Sequence, residues 1–259
     1  MTDATLATGF KSDGYYWAKS VLAAETTARI RAGIFEIMRP YLSDETAALG
    51  PEKGLDAGFD EISHQGGALK SHCYKLWGKL AAIPMAMADP AIRRVVDTLG
   101  FGNATIQSFS IFCLERGNNR NTFLPHQDLR DRTSLNSLLI WIPLSDGADI
   151  GGMSVFPKTH LDGPLHHDLS PEGKPFIPES AYSDAEEKDV VGYHVGDAIF
   201  MTPYLVHASI PNRSETMRWT AVVKMDAAEN LTHLKDSVFP FSIEDFIDLR
   251  LNSERLKAS

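Results

Sequence analysis

Leu124-Pro125-His126-Gln127-Asp128-Leu129 is the stretch on which the reading of this chain turns. His126 and Asp128 are separated by one residue. On an extended strand, residues i and i+2 point to the same face, so one imidazole and one carboxylate can grip a single metal ion together. A third ligand is needed, and His207, on a second strand-like run far downstream, is placed to supply it. Two histidines and one carboxylate with open positions suit a non-haem Fe(II) that activates O2.

The surroundings of this stretch are strand-like. From Ala104 onward, short apolar runs recur at Ala104–Leu114, Leu138–Pro143, Met153–Phe156, Asp189–His194, Asp197–Met201, Tyr204–Ala208 and Thr216–Met225. Glycine and proline turns join them. That texture predicts a sandwich or barrel and not alternating βαβ units. The expected fold is mainly β with flanking α-helices, a cupin-like double-stranded β-helix (jelly roll). Residues 161–188 break the rhythm with Pro164, Pro171, Pro175 and Pro178 and several acids. A loop this long inside a compact domain is usually functional or disordered; it reads as a lid or substrate-selecting insertion over the barrel mouth, with a plain surface loop as the alternative.

Upstream, residues 1–103 read as a mostly helical scaffold. Asp13-Gly14 signals a turn, and Tyr15 to Lys19 a short strand. Ile30, Ile34, Ile37 and Met38 recur on one helical face, and Pro40 closes that helix. Residues 42–67, broken by Gly50-Pro51, Gly54 and Gly66-Gly67, read as loop. A helix is expected over Ser71–Leu80. Asp89-Pro90 opens another, with Ile92, Val95, Val96 and Leu99 as its stripe and Gly100 as its stop. Downstream, residues 227–259 form a tail in which Phe241–Leu256 looks like an amphipathic helix. The whole of 1–259 reads as one domain, with 104–226 as its jelly-roll core.

Composition bounds the function. Of 259 residues, 43% are apolar, enough for a sizeable core. The net charge of −9, from 25 basic and 34 acidic residues, argues against nucleic acid or an anionic membrane as main partner. Cys73 and Cys113 form no spaced set, so neither a disulfide framework nor a thiolate metal site is expected. Met1 to Lys11 lacks a signal-peptide pattern, and no apolar run reaches membrane-spanning length. The expectation is a soluble cytoplasmic protein acting on a small molecule.

The remaining motifs sharpen the metal reading. Gly196-Asp197 turns into the apolar run Ala198–Met201. His207 follows, then Ser209, Pro211-Asn212 and Arg218. Arg218 lies in Met217–Val223, a strand that should be largely buried. A buried arginine needs an anionic partner. An internal acid could serve, and so could a bound dicarboxylate held by the bidentate guanidinium.

In these motifs the chain resembles the phytanoyl-CoA dioxygenase family of Fe(II)- and 2-oxoglutarate-dependent oxygenases. The resemblance is carried by His126-Gln127-Asp128-Leu129, by Gly152 to His160, and by Gly196-Asp197 running on to His207-Ala208-Ser209. Pro211-Asn212, the arginine eleven residues after His207, and the opening Asp13-Gly14-Tyr15 plus helix belong to it as well. It implies that His126, Asp128 and His207 hold the iron. Arg218 would bind the distal carboxylate of 2-oxoglutarate, Ser209 would hydrogen-bond beside it, and Gln127 would line the cosubstrate and substrate pocket. It also implies that 2-oxoglutarate and O2 are consumed, succinate and CO2 released, and a substrate C–H bond hydroxylated. Related halogenases carry a small residue where Asp128 stands, so the carboxylate favours hydroxylation over halogenation; desaturation and ring closure stay open.

Two departures stand out. Leu114-Glu115-Arg116-Gly117 occupies the place of the family's frequent Lys-x-Pro-Gly, and Lys158-Thr159 that of the Gly-Ser in Pro-Gly-Ser-His. Arg213, in the Pro-Asn-Arg-Ser turn, competes less well than Arg218. His160 reads as structural or pocket-lining; His64, His166, His167 and His194 match no ligand position. Two rival readings remain: a cupin-like metalloenzyme that does not use 2-oxoglutarate, and a non-enzymatic jelly-roll binding module. The acidic 179–188 region does not advertise a basic rim for an acyl-CoA, so a small metabolite or natural-product intermediate is preferred, in a pocket drawing on Phe109, Trp141 and 161–188.

Overall fold

A computed structural model describes residues 3–117, 123–129, 136–147 and 149–227. The expected helix over Phe241–Leu256 lies outside these residues. In chain order, α1 (Asp3–Asp13) leads into β1 (Tyr15–Ala18). Then come α2 (Ala24–Met38), α3 (Asp44–Lys53), α4 (Leu55–Gln65), α5 (Gly67–Trp77), α6 (Ala82–Met87) and α7 (Pro90–Thr98). The strands β2 (Ala104–Leu114), β3 (Ser137–Pro143), β4 (Gly152–Phe156), β5 (Asp168–Leu169), β6 (Pro175–Phe176), β7 (Lys188–Val190), β8 (Ala198–Met201), β9 (Val206–Ile210) and β10 (Arg218–Ala227) follow.

The strands build a jelly roll. A five-stranded antiparallel sheet runs β1-β8-β3-β10-β2, and a three-stranded sheet runs β7-β4-β9. Parity along the strands assigns the two faces of the larger sheet. In β10, Trp219, Ala221, Val223 and Met225 join the core beneath the helices. Arg218, Thr220, Val222 and Lys224 face the barrel interior. β3 divides the same way, with Leu138, Ile140 and Ile142 toward the helices and Leu139 and Trp141 inward.

Aromatic packing fixes the helical layer to the sheet. The Trp219 ring meets Phe59 edge-on at 5.3 Å and Trp77 at 5.6 Å. Asp56 at the start of α4 accepts the Trp219 indole N–H at 2.8 Å and the Met217 amide at 2.9 Å. Trp77 donates its own indole N–H to the Ile34 carbonyl at 3.1 Å.

The loop expected over 42–67 is instead two helices, α3 and α4. Its breakers are real, but they sit at helix junctions. Gly50 (φ +69°) and Pro51 kink α3, Gly54 separates it from α4, and Gly66 (φ +127°) ends α4. Ser43 caps α3, accepting the Thr46 amide. Leu55, Gly58, Phe59 and Ile62 then bury a stripe at helical spacing. The strand expected over Asp189–His194 is shorter, since Gly192 (φ +66°) takes the chain out of extended geometry after Val190. α1 and α6 carry no readable helical signal: α1 has little one-sided apolar pattern, and α6 is a short apolar run whose period is unreadable.

Asp197 pins the edge strand β1 onto β8. It is 1% exposed. Its carboxylate accepts from the Ser20 amide (2.8 Å), the Trp17 indole (3.1 Å), the Lys19 ammonium (3.2 Å) and the His194 amide (3.2 Å). Burial alone would raise its pKa, but these donors together outweigh burial and lower it. Asp197→Ala is expected to cost about 2–4 kcal/mol in urea unfolding, by leaving buried donors unpaired. Because the folded pKa is the lower one, this contribution is complete above the ordinary value of 3.8 and fades as pH falls below it. The stability gap between wild type and Asp197→Ala should therefore narrow in acid.

Candidate metal centre and cavity

The segment carrying His126 lies alongside β9 and pairs with it through an isolated antiparallel bridge. His126 and His207 exchange both backbone hydrogen bonds, at 2.9 and 3.0 Å. Directly opposed residues of an antiparallel pair project to one face. Register thus sets His207 beside His126, and parity adds Asp128. The imidazole centroids lie 4.3 Å apart, and one ligand atom from each of the three residues falls within a 4.8 Å cluster. Among the described residues, this is the group of three able to hold a metal ion.

The donor set fits a cation. His126 Nδ1 lies 2.7 Å from the Leu124 carbonyl, and His207 Nδ1 lies 3.0 Å from that of Leu205. A carbonyl only accepts, so each Nδ1 carries the proton and each Nε2 keeps its lone pair. Burial, and then the His207 imidazole, push the His126 pKa down to about 4, which keeps it a neutral donor near pH 7. Asp128 Oδ2 lies 3.8 Å from His207 Nε2, and the Lys224 ammonium stands 3.6 Å from the other oxygen.

These residues open on a cavity of about 600 Å³ inside the barrel. Trp141, Met153, Phe112, Phe123 and Val222 give it apolar walls, with Ser209 and Arg218 along the same cavity. Arg218 is 6% exposed. Its Nη1 bridges the carbonyls of Gly152 (2.9 Å) and Ile210 (2.7 Å), which face each other across β4 and β9. No carboxylate pairs with it among the described residues, and desolvation lowers its pKa. The anionic partner that a buried guanidinium requires has room in the cavity.

Gly151 and Gly152 make that seat possible. A Cβ on Gly152 would stand 2.1 Å from the Val190 carbonyl oxygen. One on Gly151 (φ +80°) would stand 2.5 Å from the Pro211 carbonyl oxygen and 2.7 Å from Arg218 Nη1. Gly151→Ala should therefore destabilise by more than the roughly 1–3 kcal/mol of backbone strain alone. Gly173→Ala (φ +75°, open space) supplies the strain-only comparison in urea unfolding.

Gln127 does not line the cavity, contrary to the sequence expectation. The parity that puts His126 and Asp128 on one face turns Gln127 to the other. Its amide N–H groups go to the carbonyls of Gly163 (2.8 Å) and Tyr204 (2.6 Å), and its Oε1 accepts the Leu165 amide (2.8 Å). Phe109 likewise packs with the helices, while Ser110 and Phe112 face inward.

The 161–188 insertion braces the segment of His126 and Asp128 on the side away from the cavity. Ile177 donates its amide to the Pro125 carbonyl at 2.7 Å, and His167 Nε2 accepts the Gln127 amide at 3.2 Å. This bracing contact of His167 has no sequence signal, because it is made to a backbone amide. Within the insertion, Lys174 lines the cavity. His160, His166 and His194 bond elsewhere, to the Lys11 carbonyl, to Asp168 and toward Asp146.

The chain belongs to the phytanoyl-CoA dioxygenase family, whose sequence profile matches residues 10–220. Several solved structures share the fold. One is the non-heme monooxygenase ThoJ, at 20% identity and TM-score 0.58, covering 86% of this chain and 78% of that one. Another is the epimerase SnoN, solved with Fe3+, alpha-ketoglutarate and nogalamycin RO, at 20% identity and TM-score 0.57, covering 87% and 84%. EctD from S. alaskensis, solved with 2-oxoglutarate and 5-hydroxyectoine, matches at 16% identity and TM-score 0.59, covering 88% and 77%. At these identities the likeness is one of fold. No curated protein matches the chain. Among the described residues, no helix is long and apolar enough to cross a membrane.

Proposed function

We propose that this protein is an Fe(II)- and 2-oxoglutarate-dependent dioxygenase that hydroxylates a C–H bond of a small-molecule substrate, with release of succinate and CO2. The observation that carries the reading is the His126, Asp128 and His207 cluster sharing one cavity with a buried arginine that has no acidic partner among the described residues. Iron, 2-oxoglutarate and O2 together would supply an oxidant able to take a hydrogen atom from carbon.

The chain's own residues hold and orient. His126 and His207 present Nε2 because the Leu124 and Leu205 carbonyls fix their tautomers. Lys224 holds one carboxylate oxygen of Asp128 from the side. Arg218 takes the distal carboxylate of the cosubstrate, with Ser209 beside it on β9. Apolar walls keep water from the reacting centre. Phe112 and Phe123, edge-to-face at 5.7 Å and partly exposed, with Lys174 of the insertion, form the entrance for the substrate.

Incubation of the Fe(II)-loaded protein with 2-oxoglutarate and O2 tests the reading. Slow succinate release is expected even without substrate, and none from His207→Ala. No succinate from wild type, either alone or across a panel of small-molecule substrates, would overturn it.

A further inference from the structure

Tyr193 carries a polar atom that its surroundings leave unused. The residue is 3% exposed, and its hydroxyl is buried with no hydrogen-bond partner. A buried phenol normally finds one. Among the described residues, two other side chains share this condition, Ser63 and His160. Ser63 lies in α4, and His160 lies against Gly14 at the end of α1. Tyr193 alone belongs to the apolar cluster inside the barrel, with Met153 and Trp141 of the cavity wall. Its ring meets Trp141 edge-on at 5.0 Å.

The path of the chain sets Tyr193 near the guanidinium. Val190 of β7 pairs with Met153 of β4, and the neighbouring Gly152 gives its carbonyl to Arg218. Tyr193 comes three residues after Val190. Arg218 and Tyr193 act electrostatically on each other. Burial pushes the phenol pKa up to about 12 against the pull of Arg218, so the group is a neutral donor near pH 7. Across from Arg218 in β2 stands Leu114, which brings no side-chain donor.

We propose that the Tyr193 hydroxyl donates a hydrogen bond to the distal carboxylate of the cosubstrate, completing with Arg218 and Ser209 the seat for that group. The inference rests on the 2-oxoglutarate reading above and deepens it. An orphaned donor fixed by packing is a preorganised one: its desolvation is met in folding, and its hydrogen bond is realised on binding. Removing the hydroxyl should therefore weaken the cosubstrate without weakening the fold.

The test is Tyr193→Phe, which keeps the ring and its packing. The readout is an anaerobic calorimetric titration of Fe(II)-loaded protein with 2-oxoglutarate and with 2-oxobutyrate, which lacks the distal carboxylate. About a tenfold rise in Kd for 2-oxoglutarate is expected, the effect of one hydrogen bond to a charged acceptor. Kd for 2-oxobutyrate should not change, and the Tm of the ligand-free protein should stay the same or rise. Equal 2-oxoglutarate affinity in both proteins would overturn the proposal. So would equal weakening of both ligands, or a fall in Tm of the ligand-free variant. If wild type itself binds no 2-oxoglutarate, the failure lies with the functional reading, and the Tyr193 proposal falls with it.

Discussion

His207→Ala is expected to abolish iron binding at the centre and, with it, turnover. Loss of an outer partner of a ligand already costs 10–100-fold in affinity, so loss of the ligand itself should cost at least about a hundredfold. The backbone of His207 keeps its two hydrogen bonds to His126, and β9 keeps its pairing with β4, so the fold should persist. The variant leaves an imidazole and a carboxylate two residues apart on one strand, which together cannot hold the ion tightly. Metal content after dialysis, with circular dichroism as the folding control, reads the result. Wild-type iron affinity in this variant would mean that the ion sits elsewhere.

Arg218→Ala should separate the cosubstrate from the metal. Truncating one partner of a buried charge pair costs about 2–5 kcal/mol. At 1.4 kcal/mol per tenfold, that places the rise in 2-oxoglutarate Kd between roughly thirtyfold and a few thousandfold. Iron affinity should be unaffected, because Arg218 contacts the Gly152 and Ile210 carbonyls and none of the three candidate ligands. Arg218→Lys should recover only part of the loss, since an ammonium lacks the planar fork. A cupin-like metalloenzyme without 2-oxoglutarate predicts no change in 2-oxoglutarate binding in either variant, because none would be present to lose.

The grouping of His126, Asp128 and His207 was legible because the parity of extended chain is a strict rule. Once His126 and Asp128 are on a strand, they share a face, and the only long-range choice is the partner strand. The same rule read one step further would have turned Gln127 away from the cavity and Ser110, not Phe109, toward it. Those positions were missed for want of register, which one residue of slippage inverts. The helical half was harder to read: glycines at junctions look the same as glycines in loops until the buried stripe of Leu55, Phe59 and Ile62 is laid against the sheet. Tyr193 had no signal, since an unsatisfied hydroxyl is a property of packing and not of spacing.

One cavity should hold iron and 2-oxoglutarate together. A visible spectrum of the anaerobic Fe(II)-loaded protein, before and after adding 2-oxoglutarate, checks this. A charge-transfer band that appears on addition and is absent from His126→Ala is the expected result. Iron bound with no band at saturating 2-oxoglutarate would contradict the account and leave a metal protein of another chemistry.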